Sequence, residues 1–203
     1  MGYSAKDVNL SKISEGIRNN PGMYIGGETN SEGILHLMRE VGDNSVDEYL
    51  SGRNSYIHII NTKEGIWVVD WGVGIPVGKT KDPDTGKTID TLTACFTKVH
   101  AGAKNKDNKA YSTSGGLHGV GLTAVNSLSE TLTVYSHRSE LKGWFTQDFK
   151  RGEAINAVRK TKPPTIPHVS DFSNGSAVFF RADPKLFKKS KLKEVDALWW
   201  CQM

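Results

Sequence analysis

A chain of 203 residues, 37% hydrophobic and 24% charged, is long enough to bury one full core and has the balance of a soluble globular protein, which sets aside disordered and fibrous classes. Its formal charge of +4 tolerates a polyanionic partner without demanding one. No apolar run is long enough to span a bilayer, no signal-peptide core is present, and Cys95 and Cys201 have neither framework nor metal-ligand spacing, so a reducing cytosol and no membrane contact are expected.

Residues 1–12 are small and polar apart from Tyr3 and read as an arm ahead of one domain spanning 13–203. Ile13 to Asn20 predicts a short helix stopped by Pro21-Gly22, after which Met23-Tyr-Ile-Gly26 enters a loop. Ile34 to Leu50 reads as one amphipathic helix. Glu40, Asn44, Asp47 and Glu48 share one face at helical spacing, with Leu35, Met38, Val46 and Tyr49 opposite as the core stripe. Carboxylate and amide oxygens in that line suit a hydrated Mg2+ ion and the activation of a water. A solvated helix face is the plain alternative.

Ser55–Asn61 and Ile66–Asp70 are β-branched and aromatic-rich runs joined by Thr62-Lys-Glu-Gly65, a hairpin signal. Asp70-Trp-Gly72-Val-Gly74-Ile75-Pro76 follows directly. Its glycines let backbone approach a ligand, and the Asp70 carboxylate at the strand end can accept from an exocyclic amine such as that of adenine. Asp-x-Gly-x-Gly is also a common turn. Lys79 to Lys87 reads as a surface excursion, Thr91 to Val99 as a helix, and Ala101 to Ser114, polar and without periodicity, as a lid or binding loop.

That loop runs into Gly115-Gly116-Leu117-His118-Gly119-Val120-Gly121 and a helical run to Leu128. Glycines feeding a helix N-terminus present N–H groups and a positive dipole end to a phosphate, unless they merely turn the chain. The pattern is neither a Walker loop nor a dinucleotide fingerprint. His118 has no nucleophile or metal partner beside it in sequence and suits packing or capping better than catalysis. Thr131–His137, Lys142–Phe149 and Ala154–Arg159 predict three strands, Pro163 to Pro167 a stiff connection, and Gly175–Arg181 a last strand. Asp183-Pro184 predicts the N-terminus of a closing helix. That helix stops at Trp199-Trp-Cys-Gln-Met203 without a cap, as it would if the natural chain ran on. There is no internal repeat.

Acidic helix, Asp-x-Gly-x-Gly, lid and Gly-x-x-Gly-x-Gly, in that order, resemble the Bergerat (GHKL) ATP-binding fold. Pro21-Gly-Met-Tyr-Ile-Gly26, Asp43-Asn-Ser-Val-Asp-Glu48, Val99-His-Ala-Gly102 and Ser114-Gly-Gly-Leu-His-Gly-Val-Gly121 further resemble the ATPase subunit of type IIA DNA topoisomerases, of the gyrase B and topoisomerase IV kind. The resemblance implies an α/β two-layer sandwich, a mixed and mostly antiparallel sheet with helices on one face. It implies that Glu40 is the general base, with Asp47 the carboxylate behind it, and that Asn44 is the Mg2+ ligand. Asp70 would bind adenine with Glu48, Gly74, Ile75 and Pro76 around it, and Ser176 would support Asp70 where the family usually has threonine. Lys104, Tyr111, Gly116, Leu117, His118, Gly119, Val120 and Gly121 would form the phosphate lid. Arg138 matches an arginine that contacts aminocoumarin inhibitors, and Tyr3 an arm tyrosine that reaches the nucleotide of the partner protomer.

Two departures accompany the resemblance. Val73 stands where the family has an arginine paired with the residue at Glu48, and Ser112 replaces a lysine ahead of the glycines. The expected function is ATP binding and hydrolysis that closes a homodimer clamp on DNA, with cleavage performed by another subunit or domain. The alternative is a non-hydrolysing ATP-dependent clamp of the chaperone or mismatch-repair type, against which Glu40 argues, since binding alone needs no base.

Overall fold

The computed structural model describes residues 12–53, 56–82, 84–99 and 119–188. Helices α1 (Ile13–Asn19), α2 (Gly22–Ile25) and α3 (Ser31–Leu50) come first, then strands β1 (Ile57–Asn61) and β2 (Ile66–Asp70). A small hairpin of β3 (Lys79–Lys81) and β4 (Thr88–Asp90) precedes α4 (Thr91–Thr97). After α5 (Gly121–Leu128) come β5 (Ser129–Arg138), β6 (Gly143–Lys150), β7 (Glu153–Ala154), β8 (Arg159–Thr161) and β9 (Gly175–Ala182). The main sheet runs β1-β2-β9-β5-β6-β7, with β8 also on β6, and every described pair is antiparallel. Because β9 inserts between β2 and β5, the end of β2 and the end of β5 lie one strand apart. Asp70 pairs with Ser176, and Ser176 with Ser136.

The helices cover one face of this sheet, as expected. Alternation along the strands sends Ile66, Val68, Leu132, Val134, Val178 and Phe180 inward, where they meet Leu37, Met38, Val41, Val125 and Leu128 from α3 and α5. The stripe of α3 differs from the predicted one. Ile34, Leu37, Met38, Val41 and Ser45 are buried, whereas Tyr49 is 55% exposed, Val46 is half-buried and Leu35 packs only at the margin. The helix also starts earlier than its apolar periodicity, because Asn30 caps it by accepting the amides of Glu32 at 2.9 Å and Gly33 at 3.2 Å.

Other expectations change in detail. Helix α1 ends at Asn19, ahead of Pro21-Gly22 as expected, but the same pair also opens α2, a single turn with proline ahead of it. The third strand predicted over Ala154–Arg159 is broken into β7 and β8. Asn156 lies between them and turns its side chain onto Asp148, accepting its amide at 3.0 Å and donating to its Oδ2 at 2.7 Å. The proline-rich connection lies over the outer face of the sheet, where Ile166 and Phe172 bury with Val69, Trp144 and Ala177 in a second, smaller cluster.

No closing helix follows Asp183 within the described residues, which run as turns to Lys188. Asp183 does accept the Lys185 amide at 3.0 Å, but its buried carboxylate mainly receives Arg18 at 2.6 Å and Arg151 at 2.7 Å. The arm, the lid and the Trp199-Trp200 end lie outside the described residues.

Candidate functional site

Helix α3 carries the site's acidic side chains along its length. Glu40 sits mid-helix, its side chain 32% exposed, and its Oε1 is 3.2 Å from His36 Nε2 one turn back. The same carboxylate faces Gly121, the first residue of α5; any side chain there would overlap Glu40 Oε2. The glycine is what lets the Glu40 side chain and the start of the second helix meet. Helix α5 has Val120 at its N-cap position and no side-chain cap, so its first-turn amides are left for other partners, and its first residue lies against the Glu40 carboxylate.

One turn beyond Glu40, the Asn44 side-chain nitrogen donates to the Glu40 carbonyl at 2.8 Å, which turns the amide oxygen away from the helix backbone. Among the described residues no three His, Cys, Asp or Glu side chains are gathered as a metal cage. The Asn44 amide oxygen so presented is a donor that fits Mg2+ of the kind held by one or two protein oxygens together with phosphates. Asp47 is buried at 4% exposure on the inner side of the acidic face.

Asp70 forms the other end of the site. It is the last residue of β2 and only 7% exposed. Ser45, one residue after Asn44, donates its hydroxyl to Asp70 Oδ2 at 3.1 Å, and the Gly72 amide donates to Oδ1 at 2.9 Å. Burial pushes the Asp70 carboxyl up to about 6, against the pull of those two hydrogen bonds, and the charge of Glu48 adds to the rise. A buried carboxylate held by few donors has capacity left for a ligand N–H.

The turn after Asp70 is clamped from the neighbouring strands. The Ile75 amide donates to Ser176 Oγ at 3.1 Å, and Ser136 Oγ donates to the Ile75 carbonyl at 2.7 Å. Arg138 Nη1 reaches the carbonyls of Val73 at 3.1 Å and Gly74 at 2.9 Å while its Nε bonds Glu140 at 2.7 Å. Gly74 has φ +81 and lies so close to the His137 carbonyl that a side chain would not fit. Thus Ile75 is tied to Ser176, whose hydroxyl accepts its amide, and Ser176 is the register partner of Asp70 on the neighbouring strand.

Although Val73 stands where the family has an arginine, Glu48 has a cationic partner from another position: Arg53 approaches it with a fork, Nε to Oε2 at 3.0 Å and Nη2 to Oε1 at 3.2 Å. Ser45, Ser136 and Arg53 escaped the sequence reading. Ser136 left a trace, a small polar residue on the inward register of an apolar strand; Ser45 and Arg53 left none, because each acts on a neighbour set by folding. Gly119, Val120 and Gly121 lead into α5 as expected. Tyr3, Lys104, Tyr111, Gly116, Leu117 and His118 lie outside the described residues.

An acidic helix set against a second helix's N-terminus, with a buried strand-end aspartate beside it on an antiparallel sheet, is the layout of a Bergerat-type nucleotide-binding domain. The solved 43K ATPase domain of Thermus thermophilus gyrase B, in complex with an aminocoumarin, superposes with a TM-score of 0.69 at 31% identity, over 91% of this chain and 43% of that one. The topoisomerase IV B protein of Mycoplasma pneumoniae is 39% identical over 92% of the chain, and the gyrase B protein of Thermotoga maritima 40% identical over 93%. The chain belongs to this family of gyrase B and topoisomerase IV B proteins, in its ATPase-domain region. It spans 28% of the length of each of those two relatives. No protein-family model matches it. Among the described residues no helix is long and apolar enough to cross a membrane.

Proposed function

We propose that the chain binds and hydrolyses ATP as the nucleotide-gated domain of a type IIA DNA topoisomerase, closing a homodimer clamp during strand passage. The observation that carries this reading is the placement of Glu40 against Gly121 at the start of α5, with Asp70 buried beside the same helix α3. In it, Asp70 accepts the adenine amine, and the Gly74–Pro76 turn flanks the base. The Gly116–Gly121 segment presents amides to the phosphates, where developing charge on the transferring group is stabilised. Glu40 takes the proton of the attacking water, Asp47 backs it, and Asn44 holds Mg2+, which supplies charge neutralisation at the phosphates.

The alternative of a non-hydrolysing clamp is not favoured, since the relatives named above are topoisomerase proteins. DNA and a cleavage subunit or domain are partners of the full-length protein in this reading. Dimerisation is proposed to run through residues 1–12, with Tyr3 as its docking side chain. Calorimetry of Mg2+ with a non-hydrolysable ATP analogue and with its GTP counterpart tests the nucleotide assignment: ATP-selective binding that is lost in Asp70→Ala supports it, and equal affinities refute it. Sedimentation with the analogue tests the arm. Deletion of residues 1–12 is expected to abolish the dimer and spare affinity, and a persisting dimer removes the arm from the proposal.

A further inference from the structure

The C-terminus of α3 is built to bring one residue back onto the helix it has just left. Ser51 is the C-cap, and Gly52, at φ +70, adopts the left-handed conformation that reverses the chain. The Gly52 amide bonds the Tyr49 carbonyl at 2.9 Å and the Arg53 amide bonds the Glu48 carbonyl at 2.9 Å, the paired bonds of a Schellman motif. Arg53 is therefore joined to Glu48 twice, by main chain and by the side-chain fork, and their side chains are 26% and 18% exposed. The same cap packs on the turn after Asp70: a Cβ on Gly72 would lie 3.5 Å from the Arg53 carbonyl, 3.6 Å from Glu48 Cβ and 2.8 Å from Asp70 Oδ1. Glu48, Arg53 and Asp70 thus share one wall, contributed by three segments that meet at Gly72.

A bidentate guanidinium on a carboxylate fixes the orientation of both groups as well as offsetting charge. Resting on the reading of Asp70 as the adenine acceptor, we propose that Arg53 is a positioning residue of that pocket: by holding and neutralising Glu48, it leaves Asp70 as the carboxylate that the purine amine meets. In this role Arg53 acts through Glu48, to which its guanidinium is committed. Among the described residues, the charged group that bears on Asp70 is Glu48 from α3, with Arg53 behind it. Strand β9 contributes backbone at Ser176, the following turn contributes the Gly72 amide, and Arg138 of β5 is occupied with Val73, Gly74 and Glu140 further along the turn.

The test is a cycle of Arg53→Gln, Glu48→Gln and the double variant in the 203-residue chain, titrated with a non-hydrolysable ATP analogue from about pH 5 to 8. Thermal melting of each variant runs alongside. Arg53→Gln is expected to move the pH midpoint of analogue binding upward and to weaken binding near pH 6 by up to about fivefold, the scale of a part-exposed ion pair. In the Glu48→Gln background the same change is expected to do neither, and Arg53→Lys is expected to restore only part of the effect, since an ammonium cannot fork. An unshifted midpoint in Arg53→Gln overturns the proposal, as does an equal shift with and without Glu48. If Arg53→Gln does not fold, the Arg53→Lys profile decides, and one superimposable on the native profile overturns it. Loss of all Asp70 dependence in the native chain would instead overturn the adenine reading itself.

Discussion

Ser45 donates its hydroxyl to Asp70 Oδ2 at 3.1 Å, linking the middle of the acidic helix to the end of β2. That bond ties the part of α3 that carries Asn44 to the buried carboxylate, alongside the packing of Leu37, Met38 and Val41 on the sheet.

The Asp70 carboxyl stands at about 6 because burial disfavours its charge, and that carries a stability cost. A carboxyl whose folded value lies above its unfolded one contributes stability that is complete below the unfolded value and is lost as pH rises through the folded one. In the nucleotide-free protein this contribution falls away between about pH 4 and pH 6. Asp70→Asn should accordingly melt at a higher temperature than the native chain at pH 7, with the difference gone by about pH 4. Equal melting at pH 7 would mean that Asp70 carries no such cost.

Nucleotide binding should show the same group from the other side. An amine donor stabilises the ionised carboxylate, so analogue affinity should decline as pH falls below about 6 and binding there should release a proton. The terminal phosphate of ATP titrates in the same range, so the comparison that counts is with Asp70→Asn. Calorimetry in buffers of different ionisation heat reads the difference. Identical proton release in both proteins contradicts the assignment.

Glu40→Ala should leave analogue affinity near normal and lower the rate of phosphate release by about 10²–10⁴-fold, the usual worth of a positioned base. Gly121→Ala should impair turnover as well, since a methyl there collides with the Glu40 carboxylate. Native turnover in Glu40→Ala removes it as the base.

Asp183 predicts a stability effect of opposite sign. Burial raises its carboxyl, yet the hydrogen bonds from Arg151, the Lys185 amide and Arg18 bring it down to about 2. The stability it contributes is present above the unfolded value and lost as pH falls from about 4 toward 2. Asp183→Ala should cost about 3 kcal/mol at pH 7, because it strands two arginines around a buried site and unties α1 from the end of β9. Urea unfolding at pH 7 and pH 3 checks it, with the cost shrinking at the lower pH.

Val73→Arg should change analogue affinity by less than about twofold, because Glu48 already holds the Arg53 fork. A clear gain would show that the fork is broken in the nucleotide-bound state.

What the amino-acid sequence determined by itself is whatever local periodicity and backbone freedom encode. The spacing of Glu40, Asn44 and Glu48 puts them on one helical face in any fold that keeps the helix. Asp70 at the end of a β-branched run, followed by two glycines, reads as a strand end with room beside it. The glycines before Leu122 read as the entry to a helix. The tertiary structure decided everything that depends on which segments meet. Insertion of β9 between β2 and β5 brings Ser176 and Ser136 to the turn at Ile75, and no local pattern specifies that strand order. The inward stripe of α3 was misplaced because its core-facing side includes Ser45 and Asp47, polar residues that can be buried only where the folded layers supply them a partner. Arg53 escaped for the same reason: a guanidinium in a polar stretch declares no partner until a helix cap turns it back onto Glu48 and packs both against Gly72.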